Sequence, residues 1–192
     1  MTMSDAIWTC SCGSVEARLA PVSGTRCVCY CASCQAFLRH LDRYDLADGQ
    51  GGTDLFQTDP DKVTFTKGSE HLRALRLTDK GPIRWYAECC GTPVCNTGAK
   101  RIVPLASFLV QFFDDPAKAG AVVGRVNLKD ATGHVDGETG GMGRLIRAFI
   151  ARALASLITG RYRQTPFFDA SGRPVAEVKR LSEEEKKAAY PG

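Results

Sequence analysis

Nine cysteines stand in the 192-residue sequence, and they fall into three clusters. The clusters are Cys10 and Cys12; Cys27, Cys29, Cys31 and Cys34; and Cys89, Cys90 and Cys95. Thiolate sulfur is a soft, anionic ligand, and four thiolates satisfy Zn²⁺ in tetrahedral geometry. Structural disulfides usually join distant segments, whereas these cysteines are clustered and odd in number. The pattern therefore favours metal ligation over a disulfide framework.

The first and third clusters have the form of two half-sites. Cys10 and Cys12 are one residue apart, Cys89 and Cys90 are adjacent, and a glycine follows each pair. Two cysteines on a tight turn can point at one ion, and the glycine lets the backbone curl without steric penalty. A closed structural zinc site needs four protein ligands. We therefore expect these four cysteines to hold one zinc ion.

The middle cluster offers three thiolates from one loop, Cys29, Cys31 and Cys34, without an evident fourth ligand. Three protein ligands with one open position are typical of a catalytic zinc, where water or an incoming thiol completes the coordination. We interpret these three cysteines as ligands of a second, labile zinc and as the catalytic residues. The alternative is that Cys27 closes the site as a fourth ligand. Otherwise Cys27 and Cys95 are small buried hydrophobic residues.

Short strands dominate the stretch between residues 14 and 128, which predicts a mainly β domain. The predicted strands cover 15–19, 62–67, 72–78, 83–88, 93–97 and 121–128. Residues 32–44, which follow Cys31, are expected to form a helical turn or two. The glycine- and aspartate-rich stretch 45–54 predicts a loop.

After residue 130 the strand-like segments give way to a glycine-rich stretch and then to a helical pattern. We therefore predict a zinc-binding β domain over 1–130 and a separate segment over 131–192. Glycine-rich residues 130–143 connect the two, and apolar residues at helical spacing predict an amphipathic helix over about 141–159. Gly160 is the expected C-cap, and Ser182 begins a short last helix. The apolar face of the long helix must be covered by the domain or by a second copy in a homodimer.

The net charge and the hydropathy of the chain restrict the classes of binding partner that we expect. The formal charge is +4, but seven thiolates binding two Zn²⁺ ions would reduce it to +1, so bulk charge gives no support for a nucleic-acid partner. No apolar run approaches the roughly 18 residues of a membrane span, and the first residues lack the basic and apolar regions of a signal peptide. We expect a cytoplasmic protein that binds a small-molecule thiol or thiol adduct and no membrane.

The three cysteine motifs together resemble the glutathione-dependent formaldehyde-activating enzymes, a superfamily that includes the centromere protein V-like proteins. CSCG at 10–13, CYCASC at 29–34 and YAECCGTP at 86–93 agree with that family in order and spacing. The resemblance covers about residues 7–115. It implies a small β fold of the formaldehyde-activating-enzyme type, one structural zinc, a second loosely bound zinc, and glutathione as the thiol.

By motif position, the resemblance implies structural ligands at Cys10, Cys12 and Cys90, and a second site at Cys29, Cys31 and Cys34. The chain departs from the family in three places. Ala87 stands where the fourth structural ligand should be, so Cys89 is the nearest substitute and Cys95 its rival. Tyr30 replaces a frequent histidine, and the segment after about residue 130 has no counterpart in the small family enzymes.

Two functions follow from these observations. The first is a zinc-dependent carbon–sulfur lyase-like enzyme that handles an adduct of glutathione or another small thiol, with Arg39 and Arg43 as candidates to attract a carboxylate. The second is a non-catalytic zinc-stabilised module whose C-terminal helix mediates dimerisation or partner binding.

Overall fold

A computed structural model describes residues 5–137 and 139–190 and shows a mainly β protein with three α-helices. The strands are β1 Ala6–Thr9, β2 Glu16–Leu19, β3 Gly24–Cys29, β4 Thr53–Thr58, β5 Val63–Lys67, β6 Leu72–Arg76, β7 Ile83–Ala87, β8 Thr92–Thr97, β9 Ala106–Leu109, β10 Val122–Val126 and β11 Val178–Arg180. The helices are α1 Ala32–His40, α2 Met142–Thr159 and α3 Glu183–Ala189. The predicted β class and C-terminal helix are confirmed.

The strands form two sheets. The smaller has the order β1-β2-β5 and the larger has the order β10-β3-β4-β9-β8-β7-β6-β11. Pairing is antiparallel except at the two edges of the larger sheet, where β10 lies parallel to β3 and β11 lies parallel to β6. Residues after position 130 thus supply one edge strand of the larger sheet.

Strand alternation divides the larger sheet into two faces. Trp85 of β7 packs with Trp8 of β1 and with Phe167 in a core that joins both sheets. Its neighbour Arg84 points to the opposite face, where α1 packs, because successive side chains in a strand alternate. The three-cysteine cluster lies on the helical face, since Cys29 and Cys34 pack with Leu38 of α1.

Helix α2 matches the predicted range, but only part of its apolar stripe is buried. Leu145 and Ser156 are buried, whereas Ile146, Ile150 and Leu154 are about half exposed, at 48%, 48% and 54%. Ile150 and Leu154, which belong to the apolar stripe that was predicted to be covered, are therefore left largely uncovered by the rest of the described chain. Arg152 anchors the buried side through an ion pair with Asp59 at 3.3 Å.

Glycines let the start of α2 approach β10 closely. A side chain at Gly124 would place its Cβ 2.3 Å from the carbonyl oxygen of Gly140, which is too short for any residue but glycine. Gly141 is in the left-handed region and precedes α2, and Gly160 ends the helix in the same conformation, as predicted. The predicted capping box at Ser182 is also confirmed.

Five strands were not predicted: β1, β3, β4, β9 and β11. The cysteines of β3 were interpreted as part of a metal loop, and β4 begins at Thr53 inside the predicted loop 45–54. The short helix after Cys31 is a regular nine-residue α-helix. Within the described residues, no helix combines the length and apolar character needed to cross a membrane.

Candidate metal centres

The first and third cysteine clusters meet in space, as expected. Cys10 and Cys12 lie in the turn between β1 and β2, and Cys89 and Cys90 lie in the turn between β7 and β8. Thr92 ties the two turns together, because its Oγ1 accepts a hydrogen bond from the Ser11 amide at 3.1 Å. The glycines that follow each pair have φ values of 75° and 65°, which confirms the predicted curl of both turns.

The sulfur positions in this four-cysteine group are compatible with the binding of one metal ion. All four Sγ atoms lie within 4.8 Å of one another, with separations of 3.6 Å for Cys10–Cys12, 3.3 Å for Cys12–Cys89 and 3.8 Å for Cys89–Cys90. Zinc–sulfur bonds of about 2.3 Å predict sulfur–sulfur edges of about 3.8 Å in a tetrahedron. A disulfide would need about 2.05 Å, so these thiols are free.

The four thiols differ in their readiness to ionise. Hydrogen bonds from Ser14 lower the pKa of Cys12 to about 6, whereas burial raises the pKa of Cys89 to about 12. Burial also raises the pKa of Cys10. Because metal ligation requires thiolates, a metal ion bound here would displace protons and would bind more weakly as the pH falls.

Cys89, rather than Cys95, lies with Cys10, Cys12 and Cys90. Cys89 belongs to the group, whereas Cys95 is fully buried in the core between the two sheets. The Ala87 carbonyl instead accepts hydrogen bonds from the amides of Cys90 and Gly91, at 3.3 and 2.9 Å, and so shapes the turn.

The middle cluster forms a second group made of three sulfurs. Cys29 ends β3, Cys31 is the N-cap of α1 and Cys34 lies in its first turn. Their Sγ atoms lie within 4.8 Å of one another, with 3.8 Å between Cys29 and Cys34. Cys27 is buried on the same strand but lies outside this group within the described residues.

A buried arginine faces the three-cysteine group and was not predicted. Arg84 is 3% exposed, and its guanidinium donates to Cys34 Sγ at 3.6 Å, Asn96 Oδ1 at 2.9 Å and Ser33 Oγ at 2.7 Å. In the described part of the chain, no carboxylate lies within ion-pair distance of it. A buried cation needs an anion, which only the cysteine sulfurs can provide here.

Electrostatics favour one anionic sulfur in this group, at Cys34. Hydrogen bonds with Cys31 and Cys34 raise the pKa of Cys29, and although the hydrogen bond with Cys29 lowers the pKa of Cys31, that with Cys34 and burial raise it to about 11. The pKa of Cys34 is lowered by hydrogen bonds with Cys29 and Cys31 and by the charge of Arg84. Burial lowers the pKa of Arg84, but the nearby thiolates outweigh it and raise the pKa. The start of α1 adds the positive end of a helix dipole.

Asn127 is a second contact that sequence reasoning missed. It follows β10 in the left-handed conformation, with φ 59°, and its Nδ2 donates to Cys29 Sγ at 3.2 Å. Asp130 accepts a hydrogen bond from the Ala32 amide at 3.0 Å and so fixes the start of α1. Asn127 directly follows β10 and Asp130 ends the next turn, so the available signal was the change from apolar to polar residues at the end of this strand.

The sequence also singled out Tyr30, Arg39 and Arg43, whose side chains make polar contacts outside the two cysteine groups. Tyr30 is buried and donates to Asp48 at 2.9 Å, and burial raises its pKa to about 12, so it cannot serve as a base near neutral pH. Arg43 pairs with Asp45 at 3.2 Å, and Arg39 donates to Gln35 at 3.0 Å. Within the described residues, no histidine belongs to either sulfur group.

Comparisons with known proteins give a family but no activity. No curated protein matches the chain. A crystal structure of a Rhodobacter sphaeroides protein is similar at 17% identity and a TM-score of 0.43, covering 60% of this chain and 96% of that one. Residues 3–179 match a family model, and the chain therefore belongs to DUF6151, a family of unknown function.

Proposed function

We propose that this protein binds two zinc ions, one in a closed four-cysteine site and one in an open three-cysteine site, and that the open site performs carbon–sulfur bond chemistry on a small thiol adduct. The resemblance to the formaldehyde-activating enzymes and centromere protein V-like proteins belongs to this proposal, with the chain as a divergent member. The observation that carries it is the buried Arg84 guanidinium facing three converged sulfurs.

The charge balance supports metal at the three-cysteine group. Three thiolates around one Zn²⁺ carry a net charge of −1. Arg84 lies 3.6 Å from one of these sulfurs and neutralises that charge in a buried environment. Without metal, three neighbouring thiolates would repel one another, so their ionisation would be resisted. A divalent cation would offset the repulsion between the three thiolates.

The open position supports catalysis rather than a purely structural role. Tetrahedral zinc with three protein ligands accepts water or a thiol at the fourth position. Zinc bound here would favour the thiolate form of an incoming thiol. Asn127 donates to Cys29 and Arg84 donates to Cys34, so two of the three ligands are held in orientation by neighbouring side chains.

The proposed reaction makes or breaks a carbon–sulfur bond. In the forward direction the substrate thiolate attacks a carbonyl carbon, the carbon–sulfur bond forms, and the carbonyl oxygen takes up a proton. In reverse, the hydroxyl of the adduct loses its proton, the carbonyl reforms, and the thiolate leaves. Neither direction changes an oxidation state, so no redox partner is required.

Zinc content of paired variants tests the two-site proposal. We expect two zinc ions per wild-type chain, measured by mass spectrometry of protein purified under reducing conditions. Cys31→Ser should lose one equivalent and all turnover of an S-hydroxymethyl thiol while retaining its circular dichroism spectrum. Cys27→Ala is the matched control, since Cys27 lies close by but outside the group. It should keep both ions, and loss of zinc in this control would show a closed four-ligand site.

Cys12→Ser tests the closed site separately. Structural zinc contributes folding free energy directly, so this variant should unfold or melt far below the wild type. A variant that melts like the wild type would contradict the structural assignment of the four-cysteine group.

A second candidate is a zinc-stabilised module that dimerises through α2. The observation that favours it is the aliphatic stripe that the chain leaves exposed, including Ile150 at 48% and Leu154 at 54%. Light scattering should then give twice the mass of one chain, and Leu154→Glu should restore the monomer. A monomeric wild type would remove this candidate.

A further inference from the structure

A cavity of about 250 Å³ lies between the first half of α2 and the larger sheet. Its apolar wall comes from β4, from β10, from the residue before β9 and from α2. The residues that matter for its character are Leu55, Leu105, Val126, Met142, Leu145 and Phe149. The cavity depends on α2, which lies outside the stretch that resembles the formaldehyde-activating enzymes.

The cavity and the three-cysteine group share a wall. Cys29 lines the cavity and also belongs to the sulfur group. Asn127, whose amide donates to Cys29 Sγ at 3.2 Å, lines it as well. A ligand held beside Cys29 therefore has this apolar space as its immediate surroundings.

The cavity wall carries no charged side chain among the described residues. Among the described residues that line it, Gln57 and Asn127 supply the polar amides, and none carries a lysine, arginine, aspartate or glutamate side chain. Glutathione carries two carboxylates and an ammonium group, and such groups would lose water in this space without gaining a partner of opposite charge. Arg39 and Arg43, the expected carboxylate partners, make their contacts with Gln35 and Asp45 instead.

We propose that the substrate of the three-cysteine site is a thiol, or the adduct of a thiol, whose sulfur carries a small uncharged apolar group rather than a peptide. This inference rests on the proposed function and specifies its substrate class. The apolar group occupies the cavity under α2. The cavity is smaller than the roughly 300–1,000 Å³ of pockets for drug-sized ligands, which fits a short alkyl or aryl group.

Benzyl mercaptan and glutathione are suitable probes of the full-length, zinc-loaded protein. The chain has three methionines, Met1, Met3 and Met142, and Met142 lines the cavity. In protein with ¹³C-labelled methionine methyl groups, benzyl mercaptan should shift the Met142 resonance through its aromatic ring, and glutathione at the same concentration should not. A Met142→Leu sample assigns the resonance.

A matched pair of variants locates the binding site. Ile146 and Ile150 lie one turn apart on α2 and are both 48% exposed, but only Ile146 lines the cavity. A carboxylate at the cavity disfavours an apolar ligand, so Ile146→Glu should weaken benzyl mercaptan binding at least about tenfold, whereas Ile150→Glu should stay within about twofold of the wild type. Both positions are exposed enough for the variants to fold.

The outcomes separate this inference from the function on which it rests. If the protein binds two zinc ions per chain, any one of three results would overturn the apolar substrate class alone. They are equal affinity for benzyl mercaptan and glutathione, no shift of the Met142 resonance with benzyl mercaptan, and equal effects of Ile146→Glu and Ile150→Glu on binding. One zinc ion per chain, with the three-cysteine group empty, would overturn the proposed function and this inference with it. Selective benzyl mercaptan binding in the two-zinc protein, lost in Ile146→Glu, supports both.

Discussion

Replacement of Arg84 by methionine tests the charge balance at the three-cysteine group. Methionine fills a similar volume without charge, so the change would leave the proposed zinc–thiolate group with an uncompensated net charge of −1. Arg84 lies between Phe37 of α1 and the sulfurs, where an unbranched apolar side chain can pack. We therefore expect the fold to survive and the second zinc to bind more weakly.

The size of the effect follows from the geometry. At 3.6 Å, the distance between the guanidinium nitrogen and Cys34 Sγ, two unit charges interact with about 4.6 kcal/mol at an effective dielectric constant of 20. Water and rearranged dipoles will offset part of this loss. Outer-sphere partners of metal ligands typically contribute about 10- to 100-fold in affinity, or about 1.4–2.7 kcal/mol. We expect Arg84→Met to fall in that range.

Zinc competition against a chromophoric chelator measures the loss of zinc affinity directly, because two sites of different affinity give two phases. Arg84→Met should shift only the weaker phase. Arg76→Met is the control, since Arg76 is partly buried but donates to the backbone carbonyls of Asp79 and Ala99 and not to sulfur. If Arg84→Met held its second zinc as tightly as the wild type, the charge argument for a metal at the three-cysteine group would fail.

Three further outcomes are expected. Arg152→Leu leaves the buried carboxylate of Asp59 without its ion pair and should lower the free energy of unfolding by about 3 kcal/mol in urea titrations, whereas Arg147→Leu on the exposed side of α2 should change it little. Ser182→Ala removes the cap of α3 and should cost about 1 kcal/mol in the same assay. Burial lowers the pKa of His40, so the folded state favours the neutral imidazole. The unfolded chain takes up the proton first as the pH drops through 6.5, so the stability of the fold should decrease there. Melting temperatures measured against pH should show a smaller decrease for His40→Gln.

Local patterns in the sequence determined most of the regular structure. Alternating residues predicted six strands correctly, because the burial of one face imposes a two-residue period. Helix α2 followed from its 3.6-residue period, and the last helix followed from the Ser182 capping box, since both signals lie within a few residues. Strand β3 was missed because its cysteines also fit a metal loop, and β11 was missed because three residues at a sheet edge carry almost no pattern.

The sequence by itself also determined which cysteines could share an ion, because C-x-C and C-x-x-C spacing restricts where neighbouring sulfurs can point. Only the tertiary structure decided that Cys89 and not Cys95 joins the four-cysteine group, since turn and strand positions differ in which way they face. The tertiary structure also decided which residues surround the three-cysteine group. Arg84 is 50 residues from Cys34 and Asn127 is 98 residues from Cys29, and sheet pairing brings such distant residues together without any local signal.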